Sequence, residues 1–165
     1  MTLAEAAAEA DALAQAGDER GLAQFRSQWD EEIEAGARDA DYRVRAQAYR
    51  AIAQFRFRQK VELLRRGLED ESPAARGSAL IALESLSRDH PGEVNAFRPL
   101  LHELAARDPN AAVRRLAVIC LKNGTPQRDT LQILEGIGES DDEDPDLRKT
   151  ARAVHAALKK RSVAR

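Results

Sequence analysis

With a single cysteine, Cys120, the chain has no internal disulfide to make, which fits a reducing compartment. Neither sign of charge dominates: 26 Lys+Arg stand against 28 Asp+Glu, and the net of −2 excludes a global polyanion-binding signature. No apolar run approaches the roughly 20 residues that span a bilayer. The start, Met1 to Ala6, lacks the basic opening and apolar stretch of a secretory signal. The expectation is a cytoplasmic chain with no membrane contact. Prolines number six and glycines nine in 165 residues, whereas alanine and leucine reach 31 and 18, so closely packed helices are favoured. Arginine outnumbers lysine 21 to 5, a bias that accompanies GC-rich coding and points to a bacterial source. The length suits one domain or a short repeat array.

One pattern recurs four times: an acidic residue, Arg six positions later, Ala three beyond the Arg, and an apolar residue usually seven beyond it. The copies are Asp39, Arg45, Ala48, Ile52; Asp70, Arg76, Ala79, Leu83; Asp108, Arg114, Ala117, Leu121; and Asp142, Arg148, Ala151, His155. The last departs by placing histidine where the others carry an aliphatic residue. Successive Arg residues are 31, 38 and 34 positions apart, the length of a helical hairpin.

Each Arg lies early in a helix whose apolar face takes offsets −1, +3, +6, +7 and +10. In the first copy Val44 opens that face, in the second it is Ala75, Ala79, Ala82, Leu83 and Leu86, and in the third Val113, Ala117, Cys120 and Leu121. Another helical stripe precedes each one, beginning with Leu22, Phe25, Trp29 and Ile33. The chain therefore reads as four helix pairs, about 18–56, 57–90, 91–124 and 125–161. An Ala-rich capping helix in residues 1–17 precedes them, and the array runs to residue 165 as a single domain.

Punctuation agrees. Thr2 and Glu5 can form a capping box, and Gly17-Asp18 separates the first helix from the next. Ser72-Pro73, Asp108-Pro109 and Asp144-Pro145 each place a capping residue before a first-turn proline. With Asn95 as cap, Pro99 falls at the fourth helical residue, so a late start or slight kink is expected there.

The stretches 108–117, Asp-Pro-Asn-Ala-Ala-Val-Arg-Arg-Leu-Ala, and 70–79, Asp-Glu-Ser-Pro-Ala-Ala-Arg-Gly-Ser-Ala, resemble the HEAT-repeat family, including its shorter bacterial HEAT-like members. The resemblance covers roughly residues 20–160. It implies an all-α fold, an α-solenoid with first helices on the convex side and second helices on the concave side. It also implies that Asp39, Arg45, Asp70, Arg76, Asp108, Arg114, Asp142 and Arg148 form a structural ladder between successive turns. Carboxylates near a helix start and multi-donor Arg suit that role.

With the core on those offsets, the opposite face of the second helices carries Arg50; Ile81, Glu84 and Arg88; Arg115, Ile119 and Lys122; and Lys149 and Lys160, over small residues such as Ala53 and Ala153. Six basic residues and one acid share this face. Charge is also segregated along the chain, with 11 acids against 3 bases in residues 1–41 and 8 bases against 1 acid in 42–68. Two readings fit: a face that steers and holds an acidic segment of a protein partner, or charges on a solvated surface.

No catalytic residue, metal or cofactor is assigned. The acids between Glu139 and Asp146 lack the spacing and mid-loop glycine of a calcium hand and read as a capping loop. His90, His102 and His155 are scattered. His102-Glu103 resembles a single step of the iron-binding HEAT hydroxylases, a dipeptide that family repeats and this chain does not. Cys120 points to the core. Resemblance to HEAT-like alkylpurine DNA glycosylases keeps nucleic acid as an alternative partner, although Trp29 sits in a first-helix stripe and Tyr42 and Tyr49 at most flank the groove. Phycobilin lyase subunits share the architecture, leaving an accessory role in an enzyme complex as another alternative. The expected function is a non-catalytic protein-interaction scaffold or adaptor.

Overall fold

The computed structural model describes residues 1–163, and every described element is helical. In chain order these are α1 (Leu3–Gln15), α2 (Glu19–Ala37), α3 (Tyr42–Gln54), a 3-10 turn (Arg58–Lys60), α4 (Val61–Leu68), α5 (Pro73–Ser87), α6 (Gly92–Arg107), α7 (Ala111–Leu121), α8 (Arg128–Glu139) and α9 (Pro145–Val163). The fold is all-α, built of helical hairpins as an α-solenoid is. The chain divides into two compact units, one from Met1 to Leu86 and one beginning at Ser87.

Local chemistry explains most boundaries. Thr2 and Glu5 close a reciprocal capping box on α1, and Gly17 turns the chain with a φ of 73° that favours glycine. Ser72 Oγ accepts from the Ala75 amide at 3.4 Å, and Asp144 Oδ2 from the Leu147 amide at 3.1 Å, with Pro73 and Pro145 opening α5 and α9. The third Asp-Pro pair behaves differently. Helix α7 starts two residues after Pro109, and its cap is Asn110, whose Oδ1 accepts from the Val113 amide at 3.0 Å. Asp108 Oδ1 accepts instead from the Asn110 amide at 2.9 Å, closing a local turn ahead of the helix. Asn95 is no cap either: α6 starts at Gly92 and runs through Pro99, while Asn95 Oδ1 accepts from the Thr125 amide at 3.1 Å.

In the first unit, α1 packs on α2 and α3 through Ala6, Ala7 and Ala10, all fully buried. α2 lies against α3 and α4, and Phe25 stacks on Phe55 with ring centroids 5.8 Å apart. In the second unit, α6 pairs with α7 and α8 with α9; α6 also meets α8, and α7 meets α9. Within the second unit the two first helices, α6 and α8, thus lie side by side, as do the two second helices, α7 and α9.

The apolar faces read from the sequence for the second helices are buried with one clear exception. Ala75, Ala79, Leu83, Val113, Ala117, Cys120, Leu121, Leu147 and Ala151 are at most 2% exposed, but Val44 is 39% exposed. Gly36 of α2 lies opposite Val44 and has no side chain to cover it. His155 is half-buried, and Val154 and Leu158 carry the core on that part of α9.

Helix spacing in the first unit depends on a glycine. A Cβ at Gly67 of α4 would stand 2.7 Å from Ala79 Cβ of α5 and 3.0 Å from the Tyr49 ring of α3. Gly67→Ala is therefore expected to destabilise by about 1–3 kcal/mol through overpacking, although alanine gains about 1 kcal/mol of helix propensity. Urea denaturation measures the balance; a net gain in stability would mean that α4 and α5 part without penalty.

Candidate functional site

The recurrent Asp and Arg residues shape the loops between paired helices. Asp39, Asp70 and Asp108 each use Oδ1 to accept the amide two residues on, at 2.8, 2.9 and 2.9 Å. The arginine six residues later folds back: Arg45 Nη1 donates to the Asp39 carbonyl at 3.0 Å and Arg76 Nη1 to the Asp70 carbonyl at 2.8 Å. Arg114 Nε donates to the Ala105 carbonyl at 2.9 Å. The six-residue spacing is the reach of an arginine from the first turn of a helix back to the loop that precedes it.

Arg45 and Arg114 also bridge to the following repeat. Arg45 donates to both carboxylate oxygens of Asp70 at 2.8 Å, and Arg114 to both of Glu143 at 2.7 Å. These forked pairs are the strongest geometry available between such groups. The last expected rung is misplaced: Asp142 is exposed, and Glu143 beside it takes the bridge. Arg148 reaches the Ser140 carbonyl at 3.5 Å and Asp141 at 3.5 Å. Burial alone would raise the Asp70 carboxyl, but hydrogen bonds from Arg45, the Ser72 amide and the Tyr49 hydroxyl hold it below its ordinary value. The Arg45 guanidinium is correspondingly held charged by Asp70. Tyr49, expected beside the groove, is 3% exposed and belongs to this network.

The opposite side of the second helices is open. In the second unit, α7 and the residue that ends it present Arg115, Ile119 and Lys122, and α9 presents Asp146, Lys149, Thr150, Ala153, Val154 and Ala157. Together they enclose a cavity of about 490 Å³. Arg115 Nε donates to Thr150 Oγ1 at 2.9 Å, joining the starts of two helices that pack together, so α7 and α9 run in the same sense. Lys122 and Lys149 are exposed. Lys160 is exposed farther along α9 and does not line the cavity. Asp146 and Thr150 belong to this surface but escape a reading made one helix at a time; setting α7 and α9 side by side brings them in.

In the first unit, Arg50 and Ile81 line a smaller cavity of about 230 Å³ with Ala53, Gln54, Arg56, Ala82 and Ser85. Its arginines are engaged, Arg50 Nε with Ser78 Oγ at 3.1 Å and Arg56 Nη1 with Asp11 at 2.7 Å. Ile81 is 47% exposed. Glu84 is half-buried and lies off this cavity, and Arg88 is an exposed residue of the second unit that lines neither cavity. Of the residues expected on a basic face, Arg50 and Ile81 line the smaller cavity, Arg115, Ile119, Lys122 and Lys149 the larger, and Glu84, Arg88 and Lys160 neither.

Elsewhere, polar groups hold helices together. Lys60 Nζ bonds Asp30 at 2.6 Å and Glu34 at 2.8 Å, which outweighs the tendency of burial to discharge it. His102 meets the buried Thr130 hydroxyl at 2.7 Å, and burial together with nearby Arg98 lowers its pKa. Trp29 packs against Phe25 in α2 with centroids 6.5 Å apart, and Cys120 is fully buried.

Comparison with known families agrees with the architecture. The family model for HEAT repeats matches residues 31–104, a stretch that runs from within α2 into α6 and is similar to that family. HEAT repeats are commonly protein-interaction scaffolds and are typically non-catalytic. Comparison with curated proteins finds no match. No helix among the described residues is long and apolar enough to cross a membrane.

Proposed function

We propose that this chain is a protein-interaction scaffold that holds an acidic segment of a partner protein on the face shared by α7 and α9. The observation that carries this reading is the groove in which Arg115, Lys122 and Lys149 surround a floor of Ile119, Ala153, Val154 and Ala157. Cations around an apolar floor steer an acidic segment, and burial of that floor on binding then retains it, because steering by charge and retention by burial are separate contributions. The Arg50 and Ile81 surface of the first unit offers a second, smaller contact of the same character. Both Arg115 and Lys122 stand outside the Arg114 to Glu143 bridge, so the fold does not need them for that rung.

The double substitution Arg115→Glu with Lys122→Glu tests this on the intact chain, using an array of labelled peptides graded from acidic to basic. The wild type is expected to retain the acidic members. The variant should bind them at least about tenfold more weakly, with a melting temperature nearly that of the wild type because the lost Arg115 to Thr150 bond is exposed. Equal retention by both proteins would remove the groove from consideration. Duplex DNA serves as the competing probe: binding that weakens with salt at a log-log slope of about −0.9 per phosphate contact would transfer the surface to nucleic acid.

A further inference from the structure

We infer that the occupant of the α7 and α9 groove is an acidic amphipathic α-helix rather than an extended peptide. This rests on the reading of the groove as a site for an acidic segment and specifies the form that segment takes.

The first argument is hydrogen bonding. The backbone groups along the walls are already bonded within α7 and α9, so the groove has no strand edge to pair with a peptide. An extended segment laid over Ile119, Ala153 and Ala157 would bury its own amides on an apolar floor. The polar groups facing the groove are mostly donors, Arg115, Lys122 and Lys149, which cannot accept an amide hydrogen. Its side-chain acceptors, Asp146 and Thr150, both lie in the first turns of α9, and Thr150 already accepts from Arg115. A helix brings its amides already satisfied and avoids this cost.

The second argument is spacing. Arg115 and Lys122 lie seven residues apart along α7 and its end, about 10 Å or two helical turns. Carboxylates two turns apart on a partner helix meet both cations, and the residues between them fall on the floor. That floor is shallow: Ala153 and Ala157 are one turn apart on α9, and their small side chains admit a third helix at ordinary packing distance.

Fluorescence anisotropy on the full chain separates the possibilities with three synthetic alanine-rich peptides of about 20 residues. The first places Glu at seven-residue intervals with Leu at the intervening positions three and four residues on. The second is identical but has two central prolines, and the third carries Lys in place of Glu. The first is expected to bind, the second at least about tenfold more weakly because proline breaks the helix, and the third not at all. Ala153→Phe, at an exposed position on the floor, should obstruct the first peptide without altering the melting temperature. Equal binding of the first and second peptides would overturn the helical form and leave the acidic reading standing. Failure of both acidic peptides to exceed the Lys peptide would overturn the two together. Unchanged affinity in Ala153→Phe would place the bound helix outside this groove and end the proposal.

Discussion

Leu83→Ala is expected to destabilise the protein by about 3–5 kcal/mol, near the top of the range for leucine truncation. The magnitude follows from how little the site can relax. Leu83 is fully buried on α5, one turn beyond Ala79 on the same face. Ala79 sits so close to Gly67 of α4 that even a methyl group there would collide with it, and the Tyr49 ring crowds the same point on α4. Helices already at contact distance cannot move inward to fill the space left by an isobutyl group, so the cavity persists and adds to the lost transfer energy. Ile81, two residues away and 47% exposed, is the internal control: Ile81→Ala should cost little by comparison. Chemical denaturation of both variants at one temperature gives the comparison. A loss at Leu83 below about 0.5 kcal/mol would show that the face assigned to the core is wrong.

The repeat was legible because its spacing has a mechanical cause. An aspartate that closes a turn through its own side chain and an arginine that returns to the same loop must stand a fixed distance apart, as Asp70 and Arg76 do. Alanine at Ala48, Ala79, Ala117 and Ala151 follows from helices packing face to face, and all four are fully buried. Spacing failed where several residues offered the same chemistry. Between Glu139 and Asp146 six carboxylates compete, and the periodic rule selects Asp142, whereas the three-dimensional reach of Arg114 selects Glu143. At Asp108 the proline signal suggested a helix start, but Asn110 could cap it and free Asp108 for the loop turn.

The candidate groove was legible residue by residue and not as a surface. Arg115, Ile119, Lys122, Lys149 and Ala153 followed from helical offsets, since each is placed by the core face of its own helix. Thr150 and Asp146 did not, because their part depends on which helix lies alongside. Tyr49 was misjudged for a similar reason. Its position on α3 is ambiguous until Asp70, from a different loop, supplies the acceptor that lets a phenol be buried there.

Asp70→Asn is expected to lower stability by about 2–4 kcal/mol near neutral pH, and the loss should fade in acid. The Arg45 and Asp70 side chains are 11% and 5% exposed, so the amide variant leaves a shielded guanidinium beside a neutral group. The loop carbonyls of Asp39 and Ala40 still accept from Arg45, and Glu71 approaches to 3.9 Å, but that carboxylate is 91% exposed and a weak replacement. The sign of the pH dependence follows from the folded carboxyl being held below its ordinary value. The unfolded chain then binds the proton first, so the stabilisation is complete above about pH 4–5 and is lost as pH falls through the lower folded value. Urea midpoints of wild type and Asp70→Asn from pH 7 to pH 2 should therefore converge at the acid end. A gap that stays constant across that range would show that the ladder acts through shape and hydrogen-bond count alone, and that the charge on Asp70 adds nothing to the joining of one repeat to the next.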